Sequence, residues 1–272
     1  MKLDGATVLI TGAARGLGLA MAQAFAAQGA RIACADLDGD AAEAAAQTIT
    51  SQGGAALPFA VDVTSIDETE LLAKSVEKQM GAPDILINSA GILSGIGPTW
   101  EIEPRKWLND VRVSLDGTFL CSRAVLPAML SRRSGYILNL FGGGNEPQMY
   151  ISGYVAAKTA VLMLTECLAK ETIEHGIKVF AMRPGPVRTG LNTALVESAE
   201  GRKWRPDFAA MFDEGGGVSA ALVVNLALRL AGGEADALSG RLMDAQEDFD
   251  ALIARTDRVQ ASNLFKLRIA RD

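Results

Sequence analysis

Short runs of consecutive apolar residues alternate along this chain with longer stretches in which apolar positions recur every three or four residues. The first pattern suits strands buried on both faces, and the second suits helices with one apolar face. Seven runs read as strands: Ala6–Thr11, Ala30–Ala35, Ala55–Val61, Asp84–Asn88, Tyr136–Leu140, Lys178–Met182 and Gly240–Asp244. After the first, Leu17, Met21, Ala24, Phe25 and Gln28 form a helical stretch that Gly29 stops. An Ala-rich helix surrounds Ala41–Ala46, and another helix runs from Ser65 to Met80. Ser65 and Glu68 form its expected capping box, and Gly81-Ala82-Pro83 ends it. Two longer helices are predicted over Pro104–Leu130 and Ser152–His175. This alternation predicts an α/β fold with a doubly wound, mostly parallel sheet covered on both faces.

Two segments break the rhythm. Residues 192–217 carry charges, Trp204, Pro206 and the run Gly215-Gly216-Gly217, and read as a substrate loop or flap spanning 190–217. Residues 245–272 form a tail with helical periodicity through Phe249, Leu252, Ile253 and Val259. Neither a Ser/Pro-rich linker nor an internal repeat divides the chain, so residues 1–272 read as one domain.

Composition narrows the function classes. Of the 272 residues 49% are hydrophobic, enough for a sizeable core, and only 6% are aromatic. The net charge of -6 offers nucleic acid no attraction, and the only basic run is Arg132-Arg133. The N-terminal apolar stretch is short and runs into a Gly-rich turn, unlike a signal peptide. No window reads as the roughly 18–20 apolar residues that span a bilayer, so no membrane partner is expected. Cys34, Cys121 and Cys167 are isolated in apolar surroundings, without metal-type pairing. They read as reduced core cysteines of a soluble, cytoplasmic protein with no metal site.

Thr11-Gly12-Ala13-Ala14-Arg15-Gly16-Leu17-Gly18 lies between the first strand and the first helix. A dinucleotide pyrophosphate needs close backbone approach and a helix N-terminus with free N–H groups, and glycines permit both. The spacing is TGxxxGxG, which resembles the short-chain dehydrogenase/reductase family. Further motifs follow in that family's order: Asp62-Val63, then Asn88-Ser89-Ala90-Gly91 (similar to NNAG), Tyr154-Val155-Ala156-Ala157-Lys158 (YxxxK) and Pro184-Gly185-Pro186-Val187-Arg188-Thr189 (similar to PGxxxT). The resemblance covers roughly Lys2 to Asp244 and implies a Rossmann-type, seven-stranded sheet. It also implies a cofactor site built from Gly12, Arg15, Gly16, Leu17, Gly18, Asp36, Leu37, Asp62, Val63, Asn88, Ala90, Gly91, Tyr154, Lys158, Pro184, Gly185, Val187 and Thr189.

Asp36 closes the second strand, where a carboxylate accepts hydrogen bonds from both adenosine ribose hydroxyls and repels a 2′-phosphate. That favours NAD over NADP, although Arg15 could pair a 2′-phosphate. Tyr154 and Lys158 stand four apart, on one face of a helix. The ammonium beside it is expected to favour the tyrosine's phenolate and make it a usable general base or acid. The resemblance implies that Lys158 also holds the nicotinamide ribose.

Two of the family's catalytic positions differ here. Gly142 stands where the active serine is expected, and Ser114 where the fourth-helix asparagine is expected. Backbone N–H groups of Gly142-Gly143-Gly144, or the side chains of Asn145 or Gln148, could supply the missing donor, and Ser114 could still hold a catalytic water. Trp204 is the aromatic candidate for facing a substrate. The expected activity is hydride transfer between NAD and a small-molecule secondary alcohol or ketone. NAD-dependent chemistry without net redox change (epimerase- or dehydratase-like) and a non-catalytic NAD-responsive binding protein are the alternatives. Val111, Leu115 and Leu120 on one long helix, with Val161, Leu162, Leu164 and Leu168 on the other, leave more apolar faces than one sheet covers. A homo-oligomer is therefore expected, by family analogy a tetramer, and the tail residues Leu264, Phe265, Leu267 and Ile269 could join that interface or cover the active site.

Overall fold

The computed structural model describes residues 2–143 and 146–268. Its strands are β1 (Thr7–Thr11), β2 (Arg31–Asp36), β3 (Ala55–Ala60), β4 (Ile85–Asn88), β5 (Gly135–Leu140), β6 (Ile177–Arg183) and β7 (Leu242–Asp244). They form one sheet in the order β3-β2-β1-β4-β5-β6-β7, and every neighbouring pair is parallel. Ile10 of β1 stands in register with Cys34 of β2 and Ile87 of β4. The direction of winding reverses between β1 and β4, and the ends of these two strands open a crevice there.

The helices are α1 (Gly16–Ala27), α2 (Gly39–Ser51), α3 (Ile66–Met80), α4 (Pro104–Val111), α5 (Gly117–Arg132), α6 (Ser152–Thr172), α7 (Gly190–Glu197), α8 (Ala199–Trp204), α9 (Pro206–Asp213), α10 (Ala220–Gly232), α11 (Phe249–Ala254) and α12 (Thr256–Gln260). Because strand side chains alternate in direction, Val8 and Ile10 pack with Met21 and Phe25 of α1, Ile49 of α2 and Leu230 of α10. Leu9 and Leu86 face the other way, onto Val76 of α3, Met129 of α5 and Leu168 of α6.

Several elements differ from the sequence expectation. Ser65 caps α3 by accepting from the Glu68 N–H, but the Glu68 carboxylate does not return the bond to Ser65. It accepts from the Asp62 N–H at 2.8 Å instead and so fixes the turn after β3. The long helix expected over 104–130 is interrupted by a π-helical segment, Arg112–Asp116, that joins α4 to α5. The stretch Pro104–Arg132 is long enough to cross a membrane and contains an 18-residue window with a mean hydropathy of 1.2, a combination that the core helix of a globular domain also shows. Here Val125 and Met129 of that stretch are buried against the sheet.

The irregular region expected over 192–217 is largely helical, carrying α7, α8 and α9. Ser198 caps α8 and Pro206 starts α9, so these two short helices have local start signals. The tail residues Phe265 and Leu267 pack with Phe141, Leu162, Ala181 and Leu242. The Phe265 carbonyl accepts from the Leu242 N–H at 2.9 Å, which protects the edge strand β7. The buried Glu166 carboxylate anchors the end of this tail by accepting from Leu267 N–H and Arg268 Nη1, each at 2.8 Å. Ile269 lies outside the described residues. Cys34 and Cys121 are buried, which pushes both thiols up to about 12. Cys167 is exposed on α6, not in the core as expected.

Candidate active site

A cleft of ≈ 750 Å³ opens at the C-terminal ends of β1 and β4. One end of it is the glycine turn. Gly12 has φ 66° and Gly16 φ 59°, conformations that a side chain would strain. A Cβ on Gly12 would stand 2.9 Å from Ala90 Cα, so the turn packs directly on the loop after β4. A Cβ on Gly18 would collide with the Gly12 carbonyl, so α1 presses against its own entry turn. No side chain caps α1, and its first turn carries no acidic residue. Its free N–H groups are thus available to an anion, as a pyrophosphate requires.

Asp36 stands beside this turn and lines the cleft. Its Oδ2 accepts from the Ala14 N–H at 3.1 Å, and its Oδ1 from the Asp38 N–H at 3.3 Å. The carboxylate therefore fixes the turn, while its remaining lone pairs can meet ribose hydroxyls. These features fit the adenosine diphosphate half of a nicotinamide dinucleotide. Arg15, Gly16, Leu17, Leu37, Asp62, Val63, Ala90, Gly91, Pro184, Gly185, Val187 and Thr189 line the same cleft.

Asn88 is the member of the expected cofactor set that does not line it. Its Nδ2 donates to Asn139 Oδ1 at 2.8 Å and to Ser122 Oγ at 3.1 Å. Asn139 in turn donates to Thr165 Oγ1 at 2.9 Å. All four residues are buried, so this polar ladder ties β4, β5, α5 and α6 together beneath the site. The Asn88 Oδ1 has no hydrogen-bond partner among the described residues.

Tyr154 and Lys158 project from α6 to the far end of the cleft, and both are buried. Lys158 Nζ donates to the Leu140 carbonyl at 2.8 Å and lies 5.9 Å from the centre of the Tyr154 ring. Burial lowers its pKa to about 8. The Tyr154 phenol moves the other way: burial raises its pKa, and the Asp110 carboxylate raises it further. The protein's own groups therefore do not by themselves favour a Tyr154 phenolate. Desolvation penalises both charged forms at once, and the charge that acts on the phenol is the Asp110 anion.

Asp110 was not singled out from the sequence. It is fully buried on α4, where Oδ1 accepts from Ser94 N–H at 2.9 Å and Oδ2 from Gly95 N–H at 2.9 Å. It thereby pins the loop after β4 across the cleft from α6. Only its position on the core-facing side of a predicted helix could have drawn notice.

Gly142 lines the cleft, and the space that a Cβ there would need is filled by the Tyr154 hydroxyl. Ser114 lies in the π-helical segment, is buried, does not line the cleft, and has an Oγ without a hydrogen-bond partner. Asn145 and Gly144 lie outside the described residues. Gln148 lines the cleft, and its Oε1 accepts from Arg205 Nη2 at 3.3 Å. Trp204 does not line the cleft as expected. Its ring lies tilted against Tyr150 with centres 5.0 Å apart, carries Lys203 Nζ 4.3 Å above it, and packs against the apolar cluster of Leu93, Ile96, Ile151, Tyr154 and Leu195. From the flap, the apolar side chains of Leu191, Leu195, Phe208 and Met211 and the polar one of Asn192 reach the cleft, in a region that read as irregular.

Residues 6–200 match the family model described as short chain dehydrogenase. The chain is 36% identical over 189 residues to galactitol 2-dehydrogenase from Agrobacterium fabrum (69% of this chain, 72% of that one). It is 36% identical over 191 residues to D-threitol dehydrogenase from Mycolicibacterium smegmatis (70% and 73%). A crystal structure of gluconate 5-dehydrogenase from Burkholderia cenocepacia J2315, in complex with NADP and tartrate, superposes with a TM-score of 0.80. It shares 31% identity, covering 89% of this chain and 95% of that one. The chain belongs to the short-chain dehydrogenase/reductase family. It is an oxidoreductase of that type, with the family's nicotinamide-binding fold.

Proposed function

We propose that this protein transfers a hydride between NAD and a secondary alcohol or ketone. The observation that carries this reading is the enclosure of Tyr154 and Lys158 in the same cleft as the uncapped N-terminus of α1. The cofactor, when bound, supplies the hydride acceptor or donor at its nicotinamide. Asp36 takes the adenosine ribose hydroxyls, Arg15 faces the phosphates, and the 184–189 segment and Lys158 hold the nicotinamide end. Tyr154 carries the proton. Its raised pKa suits it to give that proton to a forming alkoxide, and a cation beside it would let it take the proton back in oxidation. Ser114, whose Oγ has no protein partner, holds a water behind the pair.

Relatives named as galactitol and D-threitol dehydrogenases support a CH–OH donor. NAD rests on Asp36, whose charge would repel the additional phosphate of NADP. We take residues 1–272 as one domain with a substrate flap at 190–217 and a tail at 245–272, acting in the cytoplasm. Phe119 and Met163, 45% and 40% exposed on α5 and α6, support a homo-oligomer, a tetramer by family analogy.

The test is Tyr154→Phe, which removes the hydroxyl and keeps the ring. Turnover should vanish while cofactor affinity, measured by calorimetry, stays within about twofold. Full activity would remove Tyr154 from the mechanism. Gly142 in place of the family's serine supports a second reading, NAD chemistry without net redox change. Product formed without any change in NADH absorbance would favour that reading.

A further inference from the structure

The composition of the wall around Tyr154 limits what can react there. Leu93 and Ile151 approach from the two loops, Leu191 and Leu195 from α7, and Phe208 and Met211 from α9. Leu93, Ile151 and Leu195 are buried with Tyr154 in one apolar cluster, against which Leu191 and Phe208 pack. Tyr154 thus presents its hydroxyl from a hydrocarbon setting. On the described segments 91–95, 148–154 and 190–211, only three cleft-lining side chains are polar: Tyr154, Gln148 and Asn192. Asn192 spends its Nδ2 on the Val187 carbonyl at 2.7 Å. Gln148 has its Oε1 engaged by Arg205, which leaves its amide N–H groups as donors available in the cleft that Tyr154 also lines.

From this wall, and resting on the dehydrogenase reading above, we infer that the substrate is a secondary alcohol or ketone with a hydrocarbon body and a single polar group. It is not a polyol of the kind for which the similar dehydrogenases are named. Beyond the groups that Gln148 and Asn192 can meet, the further hydroxyls of a polyol would leave water for a wall of leucine, isoleucine, phenylalanine and methionine side chains that offers them few partners. Such a mismatch costs about tenfold or more in binding. A hydrocarbon body gains instead from contact with leucine, phenylalanine and methionine side chains. The one polar group then takes its place between the Tyr154 hydroxyl and the Gln148 amide.

The experiment compares cyclohexanol and menthol with galactitol and threitol, using NAD and NADP in turn. Initial rates are read by NADH or NADPH absorbance, and the same four compounds are titrated calorimetrically into the cofactor-loaded protein. The apolar alcohols should exceed the polyols in kcat/KM by about 100-fold. Equal or faster turnover of the polyols would overturn the substrate inference and leave the dehydrogenase reading standing. If nothing is turned over, calorimetry decides. Binding of the apolar alcohols alone supports the substrate class while overturning the dehydrogenase reading. Equal or tighter binding of the polyols, or binding of none of the four, overturns the class.

Discussion

Gly142 and Tyr154 share one volume: a Cβ on residue 142 would coincide with the tyrosine hydroxyl and stand 2.6 Å from its ring carbon Cζ. The glycine at 142 and the placement of the tyrosine are therefore one feature, not two. Glycine at the end of β5 lets the phenol settle against the strand. A side chain at 142 would force the ring aside.

Restoring the serine is accordingly not expected to restore a family-type site. Gly142→Ser should displace the Tyr154 hydroxyl, and a misplacement of about 1 Å at a reacting group costs on the order of 100-fold in rate. Steady-state kinetics should show kcat falling by that order, with cofactor affinity little changed. A rise in kcat would mean that the tyrosine yields readily and that the missing donor, not the shared volume, limits turnover.

Asp36 has two duties that one substitution cannot separate, since its Oδ2 also accepts from the Ala14 N–H. Asp36→Ala should weaken NAD binding about tenfold or more, because it removes ribose acceptors and loosens the glycine turn. Asp36→Asn keeps one acceptor oxygen and removes the charge, so it should narrow the preference for NAD over NADP with less loss of overall affinity. Calorimetry on both variants with both cofactors checks this. Tighter binding of NADP than NAD by the unmodified protein would overturn the assignment.

Lys158 makes stability depend on pH in a definite direction. Burial lowers its folded pKa to about 8 from an ordinary 10.5. Between these values the folded chain has released the proton that the unfolded chain still holds. The unfolded state then binds more protons, so this contribution to stability rises with pH and is complete only above 10.5. Its upper bound is on the order of 3 kcal/mol. Chemical denaturation of the ligand-free protein should show the wild type gaining on Lys158→Met as pH rises above 8. A constant difference between the two proteins across that range would show that the lysine is not desolvated as described.

Much of the scaffold was legible because strands buried on both faces must be continuously apolar. The seven expected runs differ from β1 to β7 by at most two residues at an end. The glycine turn was legible for a related reason: few residues but glycine tolerate positive φ or so close an approach. Less visible were features that depend on long-range packing. Asn88 looks like a cofactor contact in a motif, and the motif does not show that its Nδ2 also joins a buried ladder through Asn139 and Thr165. The charge effect of Asp110 on Tyr154 spans two helices with no periodic signature. The apolar face of the flap was obscured because α7, α8 and α9 are each too short for periodicity to stand out against their charged neighbours.

Arg205 offers the last test, because it joins the flap to the segment before α6. It is 7% exposed although its ion-pair partner Asp207 is well exposed, so the pair alone does not account for its burial. Its other contacts do: Nη2 donates to Gln148 Oε1 at 3.3 Å, Nη1 to the Met149 carbonyl at 3.5 Å, and the guanidinium lies 4.5 Å from the Phe208 ring centre. In this arrangement Arg205 is a positioning residue that orients the Gln148 amide towards the cleft. Gln148→Ala should lower kcat by about 100-fold if that amide donates to the substrate oxygen in the transition state. Arg205→Ala should reproduce much of that loss and raise KM, while Arg205→Lys, which keeps one donor, should recover part of it. The double variant Arg205→Ala with Gln148→Ala should be scarcely worse than Gln148→Ala alone, since both changes remove the same interaction. A purely structural arginine would give another result: a lower Tm, unchanged kcat in the remaining folded protein, and additive effects in the double variant.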